Sequence, residues 1–525
     1  MNKINARGTK IKQSEHIYAL KVRTESNGLG ILKTLIVLLL IVLQVSVLLL
    51  SYLYFMYAFR WFFTLSLILT LTTCIHVLSS KNHGQAKATW VLFLLVCFSF
   101  GYIIYFLSDE HVLFASSKKK YNKLLKETEA FKSKNEIFDD CKSEIKNSCD
   151  YLFNAGKFKA YTDSKTTYFS SGAQLFDNIY DDIKKAKKFI FIEYFIIADG
   201  VLLNRLLNVL KQKAKDGVEV KIIYDDMGSH NTLKAKTKKD IIKSGIKLQC
   251  FNRLVPVFNI ALNLRNHRKI VSIDGKIAYT GGANLADEYT NEKRMHGYWK
   301  DCGIKIEGKA SDNLTLAFLE EWKFLTNENI DFSNYLYQAK KIESTGVIVP
   351  FVSGPNYPYS IAQNIIVNQI ANAKEKLYIM SPYFIPDETI TNMLINKAKA
   401  GVDVRIVLPD VADKKFVYIV SRNNAEKLLD YGIKVYTMTS SFVHSKIILN
   451  ENSAVVGSIN IDLRSFYQQF ESAVFTSEPP VLKSIEDDFI YTFERSCNLT
   501  HKDKKRNHFA YRLLAGIFNL ISPFM

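Results

Sequence analysis

Three long uncharged runs dominate the pattern of hydrophobic and polar positions at the start of the chain. They cover residues 34–59, 61–80 and 88–108, and each reaches the length of about 20 residues that an apolar helix needs to cross a bilayer. The pattern therefore predicts a membrane region with three spans over residues 34–108. A cleaved signal peptide is the alternative, but its apolar core is shorter, it does not repeat, and a small-residue cleavage site should follow it.

Basic residues flank this region on both sides. A basic tail over residues 1–33 precedes the first run, and a lysine-rich stretch at 118–123 lies in a charged connector that we expect over residues 109–150. Basic segments favour the cytoplasmic side, whereas three spans would place these two on opposite sides. The orientation stays open: either one apolar segment is re-entrant or one basic cluster lies outside.

Beyond the connector, short apolar runs alternate with amphipathic stretches, which is typical of an α/β fold with a central sheet. The runs at 188–196 and 218–224 are matched in order by runs at 376–385 and 402–408. The segments KAKDGVEVKIIYD and KAKAGVDVRIVLPD, which contain the second run of each set, are near copies of each other. The region is built from two copies of one unit, or from two independent α/β domains.

Each copy carries a histidine and a lysine two residues apart in a strand-like run. His267 and Lys269 in the first copy, and His444 and Lys446 in the second, have the spacing that places both side chains on one face of a strand. One such pair is commonplace. Two pairs, each preceded by the same αβ unit, favour one shared site between two halves.

An acid and a glycine-containing turn follow each pair. Asp274 stands after the first pair and Glu451 after the second, and the turns Gly-Gly-Ala-Asn284 and Gly-Ser-Ile-Asn460 come next. Glycine lets a backbone approach a ligand closely, and the asparagines offer amide donors. The second copy is one residue shorter before its asparagine, which a deletion in a hairpin turn explains.

These motifs resemble those of the phospholipase D superfamily, whose two half-domains each contribute one HxKxxxxD motif to a single site. Over roughly residues 150–500 the resemblance is closest to the bacterial cardiolipin synthase branch. The matching segments are Ile192–Phe195, Tyr224–Ser229, Asn266–Lys269, Thr280–Asn284, Tyr298–Asp301, Ser381–Asp387, Gly457–Asn460, Asp462–Phe466 and Phe470–Glu471. The resemblance implies two pseudo-symmetric α/β half-domains with mixed central sheets, over residues 151–335 and 336–500, behind N-terminal transmembrane helices.

The same resemblance implies an activity. A member of this family would be a multi-pass protein of the bacterial cell membrane, a phosphatidyltransferase that joins two phosphatidylglycerol molecules into cardiolipin and glycerol through a phosphohistidine. His267 is the expected nucleophile and His444 the expected acid and base. Glu451 stands where the family usually has aspartate, and we expect it to act as a supporting group.

The remaining site residues also take roles from the resemblance. No metal or other cofactor is expected. Lys269, Lys446, Asn284 and Asn460 would bind the non-bridging phosphate oxygens, Asp301 and Glu471 would orient the histidines, and Asp274 would be a supporting acid like Glu451.

Charge narrows the choice of partner. Lys and Arg outnumber Asp and Glu by 69 to 51, a formal net charge of +18, which suits either nucleic acid or an anionic lipid surface. The apolar runs favour phosphatidylglycerol and other anionic membrane lipids, so no nucleic acid is expected, and the oligomeric state stays open. A hydrolase on the same fold and a membrane scaffold with an inactive site are the alternatives, and the two intact HxK pairs count against the scaffold.

The end of the chain allows two interpretations. Residues 501–525 combine a basic cluster with an apolar stretch, which is typical of a tail that lies on an anionic lipid surface. A C-terminal helix that packs into the core fits the pattern equally well.

Overall fold

The computed structural model describes residues 38–51, 60–80, 84–108, 110–132, 141–254, 264–338, 341–503 and 508–522. The chain forms two compact units, residues 1–106 and 107–525.

The first unit is helical. Its helices, with the last running two residues into the second unit, are α1 (Leu38–Ser51), α2 (Arg60–Ser79), α3 (Gly84–Val96) and α4 (Gly101–Ser108). Among the described residues α2 is long and apolar enough to cross a membrane, whereas α1 and α3 are shorter. One of the three predicted spans thus has a helix of sufficient length, and parts of the first run lie outside the described residues.

The third predicted span is divided between α3 and α4. The hydroxyl of Thr70 in α2 donates a hydrogen bond of 2.8 Å to the carbonyl of Phe98, in the turn between them. An outside donor of this kind competes with the regular helical hydrogen bonds and locally interrupts a helix.

The second unit combines thirteen further helices with twenty strands. The helices are α5 (Glu110–Glu129), α6 (Ser143–Gly156), α7 (Gly172–Lys185), α8 (Val201–Lys215), α9 (Asp226–Ser229), α10 (Ala235–Lys243), α11 (Ser311–Thr326), α12 (Ile361–Asn372), α13 (Glu388–Lys399), α14 (Lys415–Leu428), α15 (Leu463–Tyr467), α16 (Pro479–Glu494) and α17 (Phe509–Ile521). These counts refer to the described residues.

The strands fall into two consecutive groups. The first half contains β1 (Ser164–Phe169), β2 (Phe189–Tyr194), β3 (Glu219–Asp225), β4 (Lys247–Phe251), β5 (Arg265–Asn266), β6 (Lys269–Ile273), β7 (Ile277–Gly281), β8 (Tyr298–Lys300) and β9 (Gly303–Gly308). The second half contains β10 (Ile348–Ser353), β11 (Lys376–Met380), β12 (Phe384–Ile385), β13 (Asp403–Pro409), β14 (Lys434–Met438), β15 (Ser441–Val443), β16 (Ile447–Asn450), β17 (Ala454–Gly457), β18 (Ile461–Asp462), β19 (Gln469–Thr476) and β20 (Ser496–Asn498).

The two main sheets have the same strand order. The first runs β1-β9-β7-β6-β2-β3-β4, and the second runs β10-β19-β17-β16-β11-β13-β14 with β20 added at its edge. In each sheet the three strands at one side are parallel and the others are antiparallel. The predicted α/β fold with two pseudo-symmetric halves and mixed central sheets is confirmed.

The same local sequence features produce the repeated αβ unit in both halves. The central strand β2 is buried at all six positions, as its apolar run predicts, and in both halves a glycine stands two residues after the last residue of the next helix. Gly217 and Gly401 have φ values of 85° and 93°, in the left-handed region that glycine enters without a steric cost. Each glycine turns the chain back into the next parallel strand.

Two short strands cross from one half to the other. Strand β5 pairs with β19, with Asn266 opposite Phe470, and β15 pairs with β8, with Val443 opposite Lys300. Each half therefore pairs the segment just before its histidine with a strand of the other half. This reciprocal exchange of strands joins the halves where the two motifs meet.

Candidate active site

The exchanged strands deliver the two histidines to one buried place. The N–H of His267 donates to the carbonyl of Phe470 at 2.9 Å, and the N–H of His444 donates to the carbonyl of Lys300 at 2.7 Å. Each of the two histidine residues is only 7% exposed. The main chain of each half thus fixes the histidine of the other.

Each histidine also binds a carboxylate from the opposite half. Nδ1 of His267 lies 3.0 Å from both carboxylate oxygens of Glu471, and Nδ1 of His444 lies 2.8 Å from Oδ2 of Asp301. The hydroxyl of Ser458 donates to Glu471. Since Nδ1 is engaged in both rings, Nε2 is the nitrogen left for chemistry.

The two lysines of the motifs lie beside the histidines. Nζ of Lys269 donates to the carbonyl of His267 at 2.8 Å, and Nζ of Lys446 donates to the carbonyl of His444. Burial lowers the pKa of Lys269 to about 7 and that of Lys446 to about 8. An anion bound between them would reverse this effect, because it stabilises both ammonium groups.

Burial keeps both imidazole rings neutral near pH 7. Desolvation, followed by the charge of Lys446, lowers the pKa of His444 to about 4. Desolvation, followed by the charge of Lys269, lowers the pKa of His267 well below its ordinary value. A neutral imidazole is the form that acts as a nucleophile.

The two carboxylate partners differ in charge. Burial raises the pKa of Glu471 to about 8. Burial also opposes ionisation of Asp301, but His444 and Lys446 outweigh it and hold the pKa of Asp301 below its ordinary value. At neutral pH Asp301 is therefore an anion, whereas burial favours the protonated form of Glu471. For Nε2 of His267 to keep its lone pair, Nδ1–H has to donate to the oxygen of Glu471 that carries no proton.

The motif acids lie at hairpin turns and bind backbone. The carboxylate of Asp274 accepts the N–H groups of residues 187–189 at 2.7 to 2.9 Å. The carboxylate of Glu451 accepts those of residues 374–376 at 2.9 to 3.4 Å. Each acid thus holds the start of the central strand of its own half, and the histidines are oriented by other carboxylates.

The two asparagines differ in their surroundings. Asn284 accepts the N–H of Ile196 at 3.2 Å and donates to the hydroxyl of Tyr289 at 2.7 Å, so protein groups engage both ends of its amide. The ring of Tyr289 lies 5.3 Å from that of His444. Oδ1 of Asn460 is buried with no hydrogen-bond partner among the described residues. This oxygen can only accept a hydrogen bond, so a phosphate oxygen would have to bind the Nδ2 group of the same amide.

The glycines of the two turns approach protein groups, not an open ligand site as the sequence suggested. A Cβ on Gly282 would lie 2.2 Å from Oδ1 of Asp301 and 2.9 Å from the carbonyl of His444. A Cβ on Gly457 would lie 2.3 Å from the carbonyl of Ser472. Only glycine permits these contacts, so the turns allow the strands around the site to come together.

A buried charge cluster behind the first motif escaped the sequence analysis. Nη1 of Arg268 lies 3.5 Å from Glu321 and 3.9 Å from Glu193, and its guanidinium lies 5.3 Å from the ring centre of Phe470. The hydroxyl of Tyr121 in α5 donates to Glu321 at 3.4 Å, so the connector helix also contacts this cluster. Glu193 was the available signal, because an acid inside an apolar strand needs a buried partner.

The chain contains two α/β halves with the same strand order, and each half contributes a histidine and a lysine to one site. This arrangement defines the class of the phospholipase D-like enzymes.

Comparisons with known proteins name the family more closely. The family model described as "Cardiolipin synthase, PLD-like domain" matches residues 179–298 and 366–492. Cardiolipin synthase 2 of Staphylococcus epidermidis is 32% identical over 88% of this chain and 96% of that protein, and cardiolipin synthase of Halalkalibacterium halodurans is 31% identical over 88% and 93%. The chain belongs to the cardiolipin synthase family and is a phosphatidyltransferase of the phospholipase D type.

The fold is also found in a solved structure. Phosphatidylserine synthase from Haemophilus influenzae superimposes with a TM-score of 0.56 at 14% identity, over 73% of this chain and 100% of that one. At this identity the likeness concerns the fold alone.

Proposed function

We propose that this protein joins two phosphatidylglycerol molecules into cardiolipin and glycerol by two successive displacements at phosphorus. The observation that carries the proposal is the pair of neutral histidines, each oriented through Nδ1 by a carboxylate of the other half. The relatives named cardiolipin synthase support the choice of lipid substrate.

In the first displacement, Nε2 of His267 attacks the phosphorus of one phosphatidylglycerol. The bond from phosphorus to the glycerol oxygen breaks, and His444 donates the proton that this oxygen needs. The pKa of His444 is about 4 without substrate. A bound phosphodiester offsets the charge of Lys446 and raises that pKa, so that the imidazolium forms with the substrate in place.

In the second displacement, His444 removes the proton from a glycerol hydroxyl of another phosphatidylglycerol. That oxygen attacks phosphorus, the nitrogen–phosphorus bond breaks, and His267 returns to its neutral form. One phosphodiester has replaced another of similar energy, so the reaction needs no nucleotide.

The surrounding groups bind charge and fix geometry. The ammonium groups of Lys269 and Lys446 and the Nδ2 group of Asn460 donate to the non-bridging oxygens, whose negative charge develops in each transition state. Asn284 contributes through Tyr289, which it holds against His444. The predicted phosphate contact of Asn284 thus becomes an indirect one in this proposal.

The other acids act at a distance from phosphorus. Asp301 and Glu471 hold the rings so that Nε2 points at the substrate, and Asp274 and Glu451 fix the strands that carry the site. None of these roles requires a metal ion.

The membrane region serves the same reaction. Three spans over residues 34–108 would make the chain a multi-pass protein of the bacterial cell membrane, with α2 as the best supported span. Such an anchor concentrates the acceptor lipid at the site, while a closed pocket keeps water from the phosphohistidine.

One assay tests the proposal. The purified full-length chain is incubated with phosphatidylglycerol alone in mixed micelles, and the products are identified by mass spectrometry. We expect cardiolipin and glycerol in equal amounts, and incorporation of labelled glycerol into phosphatidylglycerol by the reverse reaction. The double variant His267→Ala/His444→Ala is the control for contaminating activity.

Two other outcomes would contradict the proposal. Phosphatidic acid as the main product would indicate a hydrolase. A chain that is folded but gives no product with phosphatidylglycerol would indicate another donor lipid or a scaffold.

A further inference from the structure

The C-terminal helix α17 packs against the second half through one of its faces. The hydroxyl of Tyr511 donates to the carbonyl of Ile419 in α14 at 3.1 Å, and the ring of Phe518 lies 6.4 Å from that of Phe416. Ala515, between them on the same face, is fully buried. The helix is therefore part of the folded catalytic unit.

The opposite face of α17 is apolar and open. Phe509, Leu513, Ile517 and Ile521 recur at every fourth position and are 78%, 54%, 51% and 44% exposed. A surface helix of a soluble protein carries polar residues on this face. The stripe runs the whole length of α17, so an apolar environment has to cover it.

The length of α17 limits how a bilayer could provide that environment. Thirteen residues extend about 20 Å as a helix, whereas the hydrocarbon core is about 30 Å thick. The helix is too short to span. With one face on the protein and the other apolar, its geometry is that of a helix lying in the membrane interface.

The charge around α17 selects a lipid surface over a second copy of the chain. The sequence from 501 to 512 contains Lys502, Lys504, Lys505, Arg506 and Arg512 against one acid. A symmetric contact between two copies would bring this basic segment against itself. Anionic headgroups would neutralise it.

We propose that α17 lies flat in the headgroup layer of an anionic bilayer, with its apolar stripe toward the acyl chains. Helix α14 packs between α17 and β12, and β12 pairs with β18, which directly follows Asn460. Docking of α17 therefore sets the height of the catalytic groups above the lipids. The choice of a lipid surface rests on the proposed function, but docking is measurable without turnover.

The test uses tryptophan as a depth probe in the full-length chain. Ile517→Trp is compared with Ile242→Trp, because Ile242 in α10 is 57% exposed and equally apolar. Both proteins are reconstituted into phosphatidylglycerol vesicles with either brominated or unbrominated acyl chains, and the fluorescence of the parent chain is subtracted. Bromine should quench the added fluorescence of Ile517→Trp by about half or more, as for a side chain at the acyl boundary, and leave Ile242→Trp unquenched.

Equal quenching of the two variants would overturn the proposal. Absence of quenching at Ile517→Trp together with a concentration-dependent dimer would instead show that a second copy covers the stripe. If Ile517→Trp is quenched in a protein that makes no cardiolipin, docking stands and the proposed function fails.

A second variant measures the consequence for catalysis. Leu513→Gln/Ile517→Gln changes two exposed side chains, so the fold should persist, as its thermal unfolding would show. Loss of about 1.4 kcal/mol of apolar transfer corresponds to about a tenfold rise in the apparent KM for surface phosphatidylglycerol, with an unchanged kcat at saturation. An unchanged KM would contradict a docking role.

Discussion

The two halves of the catalytic unit share one strand order and one histidine–lysine geometry, yet they differ at three supporting positions. The pairs, with the group that serves the first motif given first, are Arg268 and Ser445, Glu471 and Asp301, and Asp274 and Glu451. The first pair lies inside the motifs, the second orients the histidines, and the third holds the hairpins. The histidines and lysines of the motifs are thus repeated, whereas the groups behind them have diverged.

The motif acids show how a function survives a change in the backbone. Between the paired residues Ile273 and Ile277 the chain turns through three residues, of which Asp274 is the first; φ is 53° at Asp274 and 65° at Gly275. In the second half the N–H of Asn450 donates to the carbonyl of Ser453 at 3.0 Å, which leaves a turn of two residues. The longer side chain of Glu451 still reaches the matching three N–H groups, so the strand is held in the same way.

Replacement of the histidines should give the largest effect, and the shared geometry predicts equal losses in the two halves. A missing acid–base group lowers a rate by about 10²–10⁴-fold, so His267→Ala and His444→Ala should each remove cardiolipin synthesis almost completely. Initial rates in mixed micelles measure this, and circular dichroism checks the fold. Activity above about a tenth of the parent value in either variant would contradict a shared site.

Replacement of Arg268 should destabilise the protein much more than replacement of Ser445, the matching residue of the second motif. Arg268→Ala removes the cation that lies beside the buried Glu193 and Glu321, and breaking a buried ion pair costs about 3–5 kcal/mol. Ser445→Ala is the matched control, because the buried Ser445 hydroxyl has no hydrogen-bond partner in the part of the chain that the structure describes. It should change the free energy of unfolding by less than about 1 kcal/mol. Denaturant unfolding in detergent measures the free energy of unfolding of both variants. Equal changes in the two would contradict a stabilising role for the buried charge cluster.

The orienting carboxylates should differ in turnover. Asp301 is ionised at neutral pH, so Asp301→Asn removes a charge that stabilises the imidazolium of His444 and should lower kcat on the order of 10²-fold or more. Glu471 is mainly protonated below its pKa of about 8, and Glu471→Gln should lower kcat by about tenfold or less. Steady-state kinetics at pH 7 measure kcat for both variants, and equal losses of kcat would contradict this prediction.

The same pair has a pH signature. Above pH 8 Glu471 loses its proton and adds a negative charge beside His267, so the cost of Glu471→Gln relative to the parent should grow with pH. Lys269 and Lys446 titrate in the same range, and the charge of Glu471 raises the pKa of both, so the ratio of the two rates measures the ionisation of Glu471 together with its effect on these lysines. A ratio that is constant from pH 6 to about 9 would show that Glu471 keeps one charge state.

The motif acids should give the smallest effect. Glu451→Gln weakens hydrogen bonds to three backbone N–H groups but leaves the histidines in place, so it should cost about 1 kcal/mol of stability and little turnover. Asp274→Asn is its counterpart in the first half. A loss of activity in Glu451→Gln as large as that of His444→Ala, with a normal fold, would show that Glu451 takes part in the chemistry.

Local patterns in the sequence were sufficient to predict the repeated α/β unit and the residues that gather at the site. The apolar runs, the glycines after α8 and α13, and the spacing of His267 and Lys269 depend on neighbours a few residues away. They are legible in one sequence because period-two and helix-end signals are local.

Contacts between distant segments could not be predicted in this way. The exchange of β5 and β15 and the ion pairs of Arg268 join residues far apart in the chain. Asp301 and Glu471 are expected to orient the histidines only from the family resemblance, which does not say which histidine each one binds. Arg268 alternates with the motif residues, so its position predicts an exposed face, and the three-dimensional packing of α11 buries it. The division between α3 and α4 likewise depends on Thr70 in another helix.

The exchange of strands also means that the surroundings of His267 are complete only after the second half has been synthesised. The first half, with its whole motif, is synthesised before Glu471, which lies in β19 of the second half. Until β19 has been synthesised and paired with β5, the imidazole of His267 has neither its backbone anchor nor its orienting carboxylate. A chain that ends before β19 therefore lacks both of the contacts that fix His267.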